Sequence, residues 1–328
     1  MNLACVDQIA KAVLYEGYML YPYRPSSVKN RQRWNFGVVY PQAYSDSEEG
    51  QSPASMRNEC LVCGIPATLV EVRLRFLQLQ TRSEAEPSAK NTSLPDGWQE
   101  AVEREVSLSP YTLEQLCGES VTHSFRFPAE TCIEPAAQFG RTVRQQETVE
   151  GTVHISAENL GRDIFRIKIL VHNTTAMETP ASNRDAALMH SLVSTHTILG
   201  VERGEFISLL EPPDGMLELA ARCQNVGAWP VLVGEAGQRD TMLASPIILY
   251  DYPQIAPESV GDLFDGTEID EILSLRIMTL TDAEKNEIRQ SDDRARQILE
   301  RTEAMPAEQF MKLHGAVRGM RPLKEDAS

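Results

Sequence analysis

The sequence predicts an α+β protein that is mostly β, with an antiparallel, sandwich-like core, a short N-terminal helix and an acidic helical C-terminal region. Two observations lead to this prediction. Apolar and polar residues alternate at period two in the middle of the chain, as in strands with one wet face. Helix start signals and acidic residues accumulate after Thr267. The chain has 328 residues, of which 42% are hydrophobic, and this is enough to fill a substantial core.

The first predicted element is a short amphipathic helix that Gly17 ends. A segment rich in aromatic and basic residues follows it and leads into a strand at residues 36–40. An acidic loop at residues 45–55 closes this part of the chain. The apolar residues that share one side of the helix are Val6, Ile9, Ala10, Val13 and Leu14.

Two long strands dominate the middle of the chain. In TLVEVRLRFLQLQ, which begins at Thr68, apolar residues alternate with charged ones, and RDIFRIKILVHN, which begins at Arg162, repeats this arrangement. Their similar settings leave open a core built from two similar halves. Further strands are predicted at residues 121–127, 148–156, 192–199, 205–210, 229–233 and 246–252, and a short helix at 182–189.

The last quarter of the chain is predicted to be helical. Thr267, Thr281 and Ser291 each precede acidic residues at the start of a helical stretch, which is the pattern of a capped helix N-terminus. The predicted organisation is a helix and aromatic-basic segment at residues 1–44 packed on the core, the β core at 55–256, the acidic helical region at 262–314 and a tail at 315–328.

Composition and missing motifs exclude several classes of function. The formal net charge of -16 argues against nucleic-acid binding, which depends on lysines and arginines that neutralise phosphates. No apolar run approaches the roughly 20 residues of a membrane span, and no export signal is recognisable. We therefore expect a soluble, cytoplasmic protein with reduced thiols. Phosphate-binding loops and nucleophile motifs are missing, so we expect no cofactor and no catalytic residues.

Cys60 and Cys63 form the single CxxC motif. Such a pair can bind a metal ion or form a redox disulfide, and His123 or His172 could add a ligand. A zinc ribbon would need a second pair, however, and two partly buried thiols of one strand are the favoured interpretation. For the neighbouring His190 and His196, hydrogen-bonded or exposed histidines are the simpler interpretation, because no HxH or HExxH motif joins them.

The aromatic-basic segment is the other candidate site. Tyrosine, tryptophan and arginine are the residue types that recur at the energetic centres of protein interfaces. In the alternative interpretation, the aromatic residues pack against the start of the β core and the arginines pair with the acidic C-terminal helices. The candidate partner-binding residues are Tyr18, Tyr21, Tyr23, Arg24, Arg31, Arg33 and Trp34.

Two stretches carry a resemblance to a known family: AVLYEGYMLYPYRPSSVKNRQRWNFGVVYP, from Ala12, and ASPIILYDYPQIAPESVGDLFDGTEIDEILSLRIMTLTDAEK, from Ala244. Here the chain resembles an uncharacterised family of accessory proteins encoded with high-affinity, actinobacterial-type uptake [NiFe]-hydrogenases and their maturation genes. The match covers the two ends well and the middle loosely, and Cys63 departs from the family pattern. The resemblance implies a cytoplasmic protein that binds a hydrogenase subunit or a maturation protein.

The leading hypothesis is therefore a non-enzymatic accessory protein that supports [NiFe]-hydrogenase assembly by binding a protein partner. A metal or redox carrier that uses Cys60 and Cys63 is the first alternative. An enzyme with a noncanonical pocket is the second, with Asp251 and Glu258 as unassigned acids near prolines. Neither nucleic acid nor membrane insertion is expected, and the sequence does not predict an oligomeric state.

Overall fold

A computed structural model of the chain describes residues 3–14, 35–48, 52–85, 98–135, 141–177, 183–254, 280–282, 285–286, 289 and 293–304. The chain divides into two compact units, Met1–Gln254 and Ile255–Ser328. The helices of the first unit are α1 (Leu3–Leu14), α2 (Gln42–Ser47), α3 (Leu113–Gly118), α4 (Arg184–Leu188) and α5 (Leu217–Ala221). Its strands are β1 (Ser55–Ala85), β2 (Trp98–Ser107), β3 (Tyr111–Thr112), β4 (Val121–Phe127), β5 (Glu130–Pro135), β6 (Arg141–Gln146), β7 (Val149–Gly161), β8 (Ile164–Asn173), β9 (Val193–Ile207), β10 (Trp229–Leu232) and β11 (Thr241–Ser245).

The strands form one antiparallel sheet of 11 strands. Its main path runs β10-β11-β9-β1-β8-β7-β4, while β2, β3 and β6 also pair with β1 and β5 pairs with β6. The strands predicted at residues 121–127 and 229–233 are present as β4 and β10, within one residue of the predicted ends. The strand predicted at 148–156 is present as β7, which continues beyond the predicted end to Gly161. The mostly β, antiparallel fold with a short N-terminal helix is thereby confirmed.

β1 is the central strand and extends over 31 residues. Residues 55–63 pair with β8, residues 73–82 pair with β2, and β9 pairs with residues 61–77. The ladder with β9 is interrupted between Gly64 and Leu69. There the Thr68 hydroxyl accepts from the Ile65 N–H (2.9 Å) and donates to the Arg203 carbonyl (2.7 Å), which satisfies backbone groups that the ladder leaves open. A Cβ atom on Gly64 would lie 2.6 Å from the Thr68 hydroxyl oxygen, so this bulge requires glycine there.

The main apolar core lies on the inner face of this sheet. The ring of Phe76 on β1 is 5.8 Å from that of Phe125 and 5.7 Å from that of Phe127, both on β4. Since β8 and β7 separate β1 from β4 along the sheet, this contact means that the sheet folds over itself around the core. The predicted sandwich-like arrangement is therefore present. Alternate residues of the inner strands fill it, among them Val62, Val72, Leu74, Val153, Ile155, Ile167, Ile169 and Leu199.

Helices cover apolar patches on the outer face. One side of α1 packs against β9, β10 and β11, where Ile198, Val231 and Leu243 point outward. The periodicity of the sequence predicted this helix and the side that it buries. The buried residues of α1 are Val6, Ile9, Ala10, Val13 and Leu14.

Four strand predictions need correction. Residues 36–40 form no strand, and only Val39 makes an isolated bridge to Leu192. The strands predicted at 192–199 and 205–210 are one continuous strand, β9. Residues 246–252 are not a strand, because the Asp251 carboxylate takes the backbone N–H of Leu232 that a strand would have bound. β11, which ends just before Pro246, is a strand that the sequence did not predict.

In the second unit, residues Asp293–Ala304 form a helix, α6. Asp282, Lys285, Asn286 and Arg289 are helical as well. Glu303 of α6 pairs with Lys285 (3.1 Å) and Arg289 (2.6 Å), which joins the two helical stretches. These positions fit the helices predicted after Thr281 and Ser291, while the one predicted after Thr267 lies outside the described residues. No helix in the described ranges combines the length and the apolar character needed to cross a membrane.

Candidate functional site

The partner-binding residues predicted from the aromatic-basic segment lie outside the described residues. All seven fall between α1 and Asn35, in residues 15–34. Their role in binding a partner therefore remains a prediction.

Cys60 and Cys63 lie on β1 but on opposite faces of it. Side chains alternate along a strand, so two residues at an odd separation point to different sides of the sheet. Cys60 is buried in the inner core with 2% of its surface exposed, whereas Cys63 is exposed. Burial, followed by the nearby Cys223 and Glu59, raises the pKa of the Cys60 thiol, which disfavours the thiolate that a metal would bind. This placement fits two separate strand thiols better than a shared metal or a disulfide.

The histidines do not join the cysteines. His172 lies on the outer face of β8, opposite to Cys60, and its ring packs edge-on against that of His154 at 5.5 Å. Both ring nitrogens of His154 contact threonine hydroxyls, Thr122 at 2.8 Å and Thr152 at 3.1 Å. Burial and the neighbouring His154 lower the pKa of His172. Within the described residues, no three His, Cys, Asp or Glu side chains gather in a way that could hold a metal ion.

His196 and Ser245 form a buried pair that resembles a nucleophile and its base. The Ser245 hydroxyl lies 3.2 Å from His196 Nε2, and His196 Nδ1 lies 2.7 Å from the Ser194 carbonyl oxygen. This carbonyl can only accept, so Nδ1 carries the proton. Both side chains are 0% exposed, however, and the Ser245 hydroxyl also accepts from the Ile247 N–H. A substrate cannot reach the pair, which instead links β9 to the end of β11.

Asp251 fixes the segment that follows β11. Its carboxylate accepts from the Leu232 N–H (2.8 Å) and from the Ser208 hydroxyl, and the Tyr252 N–H donates to the Leu232 carbonyl (2.7 Å). The segment thus leaves β11 beside Trp229 and returns beside Leu232 on the free edge of β10. Asp251, which the sequence analysis left as an unassigned acid, holds this segment in place. Glu258 lies outside the described residues.

The fixed segment exposes an apolar surface. Leu249 points inward and packs on the cluster beneath α1, whereas Ile248 and Tyr250 point outward with 78% and 87% of their surfaces exposed. Trp229, beside the start of the segment, is 42% exposed. We call Trp229, Ile248 and Tyr250 the apolar patch. A single exposed apolar side chain is ordinary, but large apolar side chains grouped on a fixed segment and the strand residue beside its start are typical of a protein interface.

Sequence reasoning missed this patch although it singled out the segment. The largely apolar run of residues 246–252 predicts a strand, and strand positions that face water are expected to be polar. Ile248 and Tyr250 are apolar at those positions, and this was the available signal.

No protein-family model matches the chain, and no curated protein is significantly similar to it. The apolar patch and the polar sites described above are therefore interpreted from their geometry and chemistry.

Proposed function

We propose that this protein is a non-enzymatic, cytoplasmic accessory protein that binds a [NiFe]-hydrogenase subunit or maturation protein through the apolar patch. The observation that carries the proposal is the exposure of Ile248 and Tyr250 on a segment that hydrogen bonds hold in place. The free energy falls when a partner binds large apolar side chains and removes them from water.

The anchoring of the patch favours binding. A loop that must become ordered when a partner binds loses part of the binding free energy to conformational entropy. Here Asp251 ties the segment to Leu232 and Ser208, and Leu249 packs beneath it. The outward side chains are thus presented in a fixed arrangement before any partner arrives.

The choice of partner rests on the resemblance. Ile248 and Tyr250 lie in ASPIILYDYPQ, which opens one of the two stretches that resemble the hydrogenase-associated family. The other stretch contains the predicted contact residues Tyr23, Arg24 and Trp34. Exposed apolar residues inside a stretch typical of this family support a shared role in partner binding.

The proposal can be tested by affinity co-purification from cells that produce the hydrogenase. Replacing Ile248 and Tyr250 together by serine should remove the hydrogenase subunit or maturation protein that the wild-type chain recovers. Truncation of residues at the centre of an interface commonly costs 2 kcal/mol or more, which is roughly a thirtyfold loss of affinity. Both side chains are exposed, so the melting temperature should be unchanged.

Ile133→Ser is the matched control, because Ile133 is 60% exposed on β5, away from the patch. It should leave the recovery of the partner unchanged. A Tyr23, Arg24 and Trp34 triple alanine variant tests the aromatic-basic segment in the same assay and should also lose the partner. If the Ile248 and Tyr250 variant recovers as much partner as the wild type, the apolar patch does not bind the partner. If the wild-type chain recovers no hydrogenase subunit or maturation protein, the hydrogenase assignment is wrong.

A further inference from the structure

The inner face of the sheet becomes polar at one end. Beyond Phe76, the inward positions of β1 are occupied by Gln78 and Gln80, and the neighbouring strands contribute Glu100 and Gln146. Gln78 is fully buried, and Glu100 and Gln146 are each 8% exposed. Each of these buried polar side chains therefore needs a hydrogen-bond or ion-pair partner.

Two of its three arginines are neutralised by carboxylates. Arg82 and Arg144 both bind Glu100, at 2.9 Å and 2.8 Å, and Arg144 also binds Glu134. Hydrogen bonds and charge from Glu100 and Glu134 outweigh burial and raise the pKa of Arg144. These arginines form a compensated ionic network.

Arg104 on β2 is held in a different way. Its Nε donates to Gln78 Oε1 and its Nη2 to Gln146 Oε1, both at 2.8 Å. Both acceptors are neutral amides, and no carboxylate among the described residues lies within ion-pair distance of the guanidinium. Burial lowers the pKa of Arg104, and the charge of Glu130 partly opposes this. A partly buried guanidinium whose hydrogen-bond acceptors are neutral can still pair with an anion from outside.

The two glutamines are themselves fixed. The Gln78 amide donates to the Glu147 carbonyl (2.7 Å), and the Gln146 amide donates to the Pro128 carbonyl (3.0 Å). These bonds leave only the side-chain oxygens to face Arg104. The guanidinium is therefore oriented, and its remaining N–H groups have no hydrogen-bond acceptor among the described residues and can face a ligand.

One aromatic ring contacts the charge, and two more pack against that ring. The Arg104 guanidinium lies over the Phe127 ring at 5.0 Å from its centroid, and Phe127 contacts Phe76 and Phe125. Phe125 and Phe127 face the core but are only partly buried. An apolar group can thus lie against these rings while its charged end reaches Arg104.

We propose that Arg104 is the anchor of a ligand site for a carboxylate joined to an apolar group. The planar guanidinium pairs with the two carboxylate oxygens, the glutamines hold it in place, and Phe125 and Phe127 contact the apolar part. This site is separate from the apolar patch, and its existence does not depend on the hydrogenase proposal.

Glu130 is the competing carboxylate. It lies directly across from Gln146 in the β5–β6 pair, is exposed, and makes no hydrogen bond to Arg104. Its negative charge repels a bound anion. Removing that charge should tighten binding without disturbing the residues that hold Arg104.

The test is saturation-transfer NMR on the purified full chain with benzoate as the probe and acetate, inorganic phosphate and benzyl alcohol as comparisons. Benzoate should bind saturably and at least about tenfold more tightly than any of the three. Arg104→Met should abolish this binding, and Glu130→Gln should tighten it about threefold.

The control is Arg126→Met, because Arg126 is an exposed arginine of β4 that pairs with Glu150. It should bind benzoate as the wild type does.

Three results would overturn the proposal: no saturable binding of benzoate, equal binding by the folded Arg104→Met variant, or unchanged affinity in Glu130→Gln. Acetate or phosphate binding as tightly as benzoate would overturn the apolar part and reduce the site to a simple anion contact. If Arg104→Met does not fold, Glu130→Gln decides, together with the Nε–Hε resonance of Arg104 in the wild-type chain. That resonance should shift with benzoate and not with benzyl alcohol.

Discussion

His196 couples the stability of the core to pH. The ring is fully buried between Ser194 and Ser245, and burial lowers its pKa from 6.5 to about 4, a shift that the Ser194 carbonyl partly opposes and Arg75 reinforces. The unfolded chain takes up a proton at this histidine as the pH falls through 6.5, while the folded chain does so only near pH 4. As the pH is lowered from 6.5 to about 4, the free energy of unfolding therefore falls. Below pH 4, His196 causes no further fall.

We predict that His196→Gln reduces this pH dependence. Between pH 7 and pH 4 the wild-type chain should lose on the order of 3 kcal/mol through His196 alone, and the variant should lack that contribution. Urea unfolding at a series of pH values measures the difference between the two slopes. Parallel stability curves for the wild type and the variant would show that the ring is not held neutral in the fold.

At the level of single residues, the sequence indicated which side chains can carry chemistry better than it indicated what each of them does in the fold. It favoured a hydrogen-bonded or exposed His196 over a metal ligand, and the ring is hydrogen-bonded. It could not show that the Arg104 guanidinium pairs with neutral amides and with no carboxylate of the described residues, because the glutamines and carboxylates near it come from four different strands. Such a balance of charges depends on strand register, which side-chain spacing along one strand does not reveal.

Among the elements, α1 shows what periodicity can predict. Its spacing identified both the helix and its buried side, which packs against β9, β10 and β11. The ends of β1 were not predictable in the same way, since Gly64 and Pro66 are typical of a strand end. Here the strand continues because β8 pairs before the bulge and β9 pairs on both sides of it.

We predict that Ile9→Ala weakens the packing of α1 measurably. Ile9 is 5% exposed, and removing a buried isoleucine side chain costs about 2–4 kcal/mol of the free energy of unfolding. Gln8→Ala on the exposed side of the same helix should stay within about 0.5 kcal/mol of the wild type. Equal stabilities of the two variants in urea unfolding would mean that α1 does not cover the sheet.

For the whole molecule, alternation at period two was enough to predict the fold class. The order of the strands and the folding of the sheet over itself were not predictable, because both depend on contacts between residues far apart in the sequence. The same holds for the apolar patch. The patch is exposed because the Asp251 carboxylate binds the Leu232 N–H at the free edge of β10. These two residues are 19 positions apart in the sequence.

We predict that a chain ending at Gln254 folds by itself. The apolar clusters described for the sheet and its helices all lie within Met1–Gln254. The shortened chain should show a cooperative thermal transition and the near-ultraviolet circular dichroism of packed aromatic rings. A broad transition without that signal would show that the core of the first unit is incomplete without the rest of the chain.

The most direct test of partner binding places a photo-crosslinking amino acid, p-benzoylphenylalanine, at position 250 in cells that produce the hydrogenase. We predict a covalent adduct with a hydrogenase subunit or maturation protein, identified by mass spectrometry, and no such adduct when the same group replaces Ile133. An adduct of equal yield from both positions, or none from position 250, would contradict the role of the apolar patch.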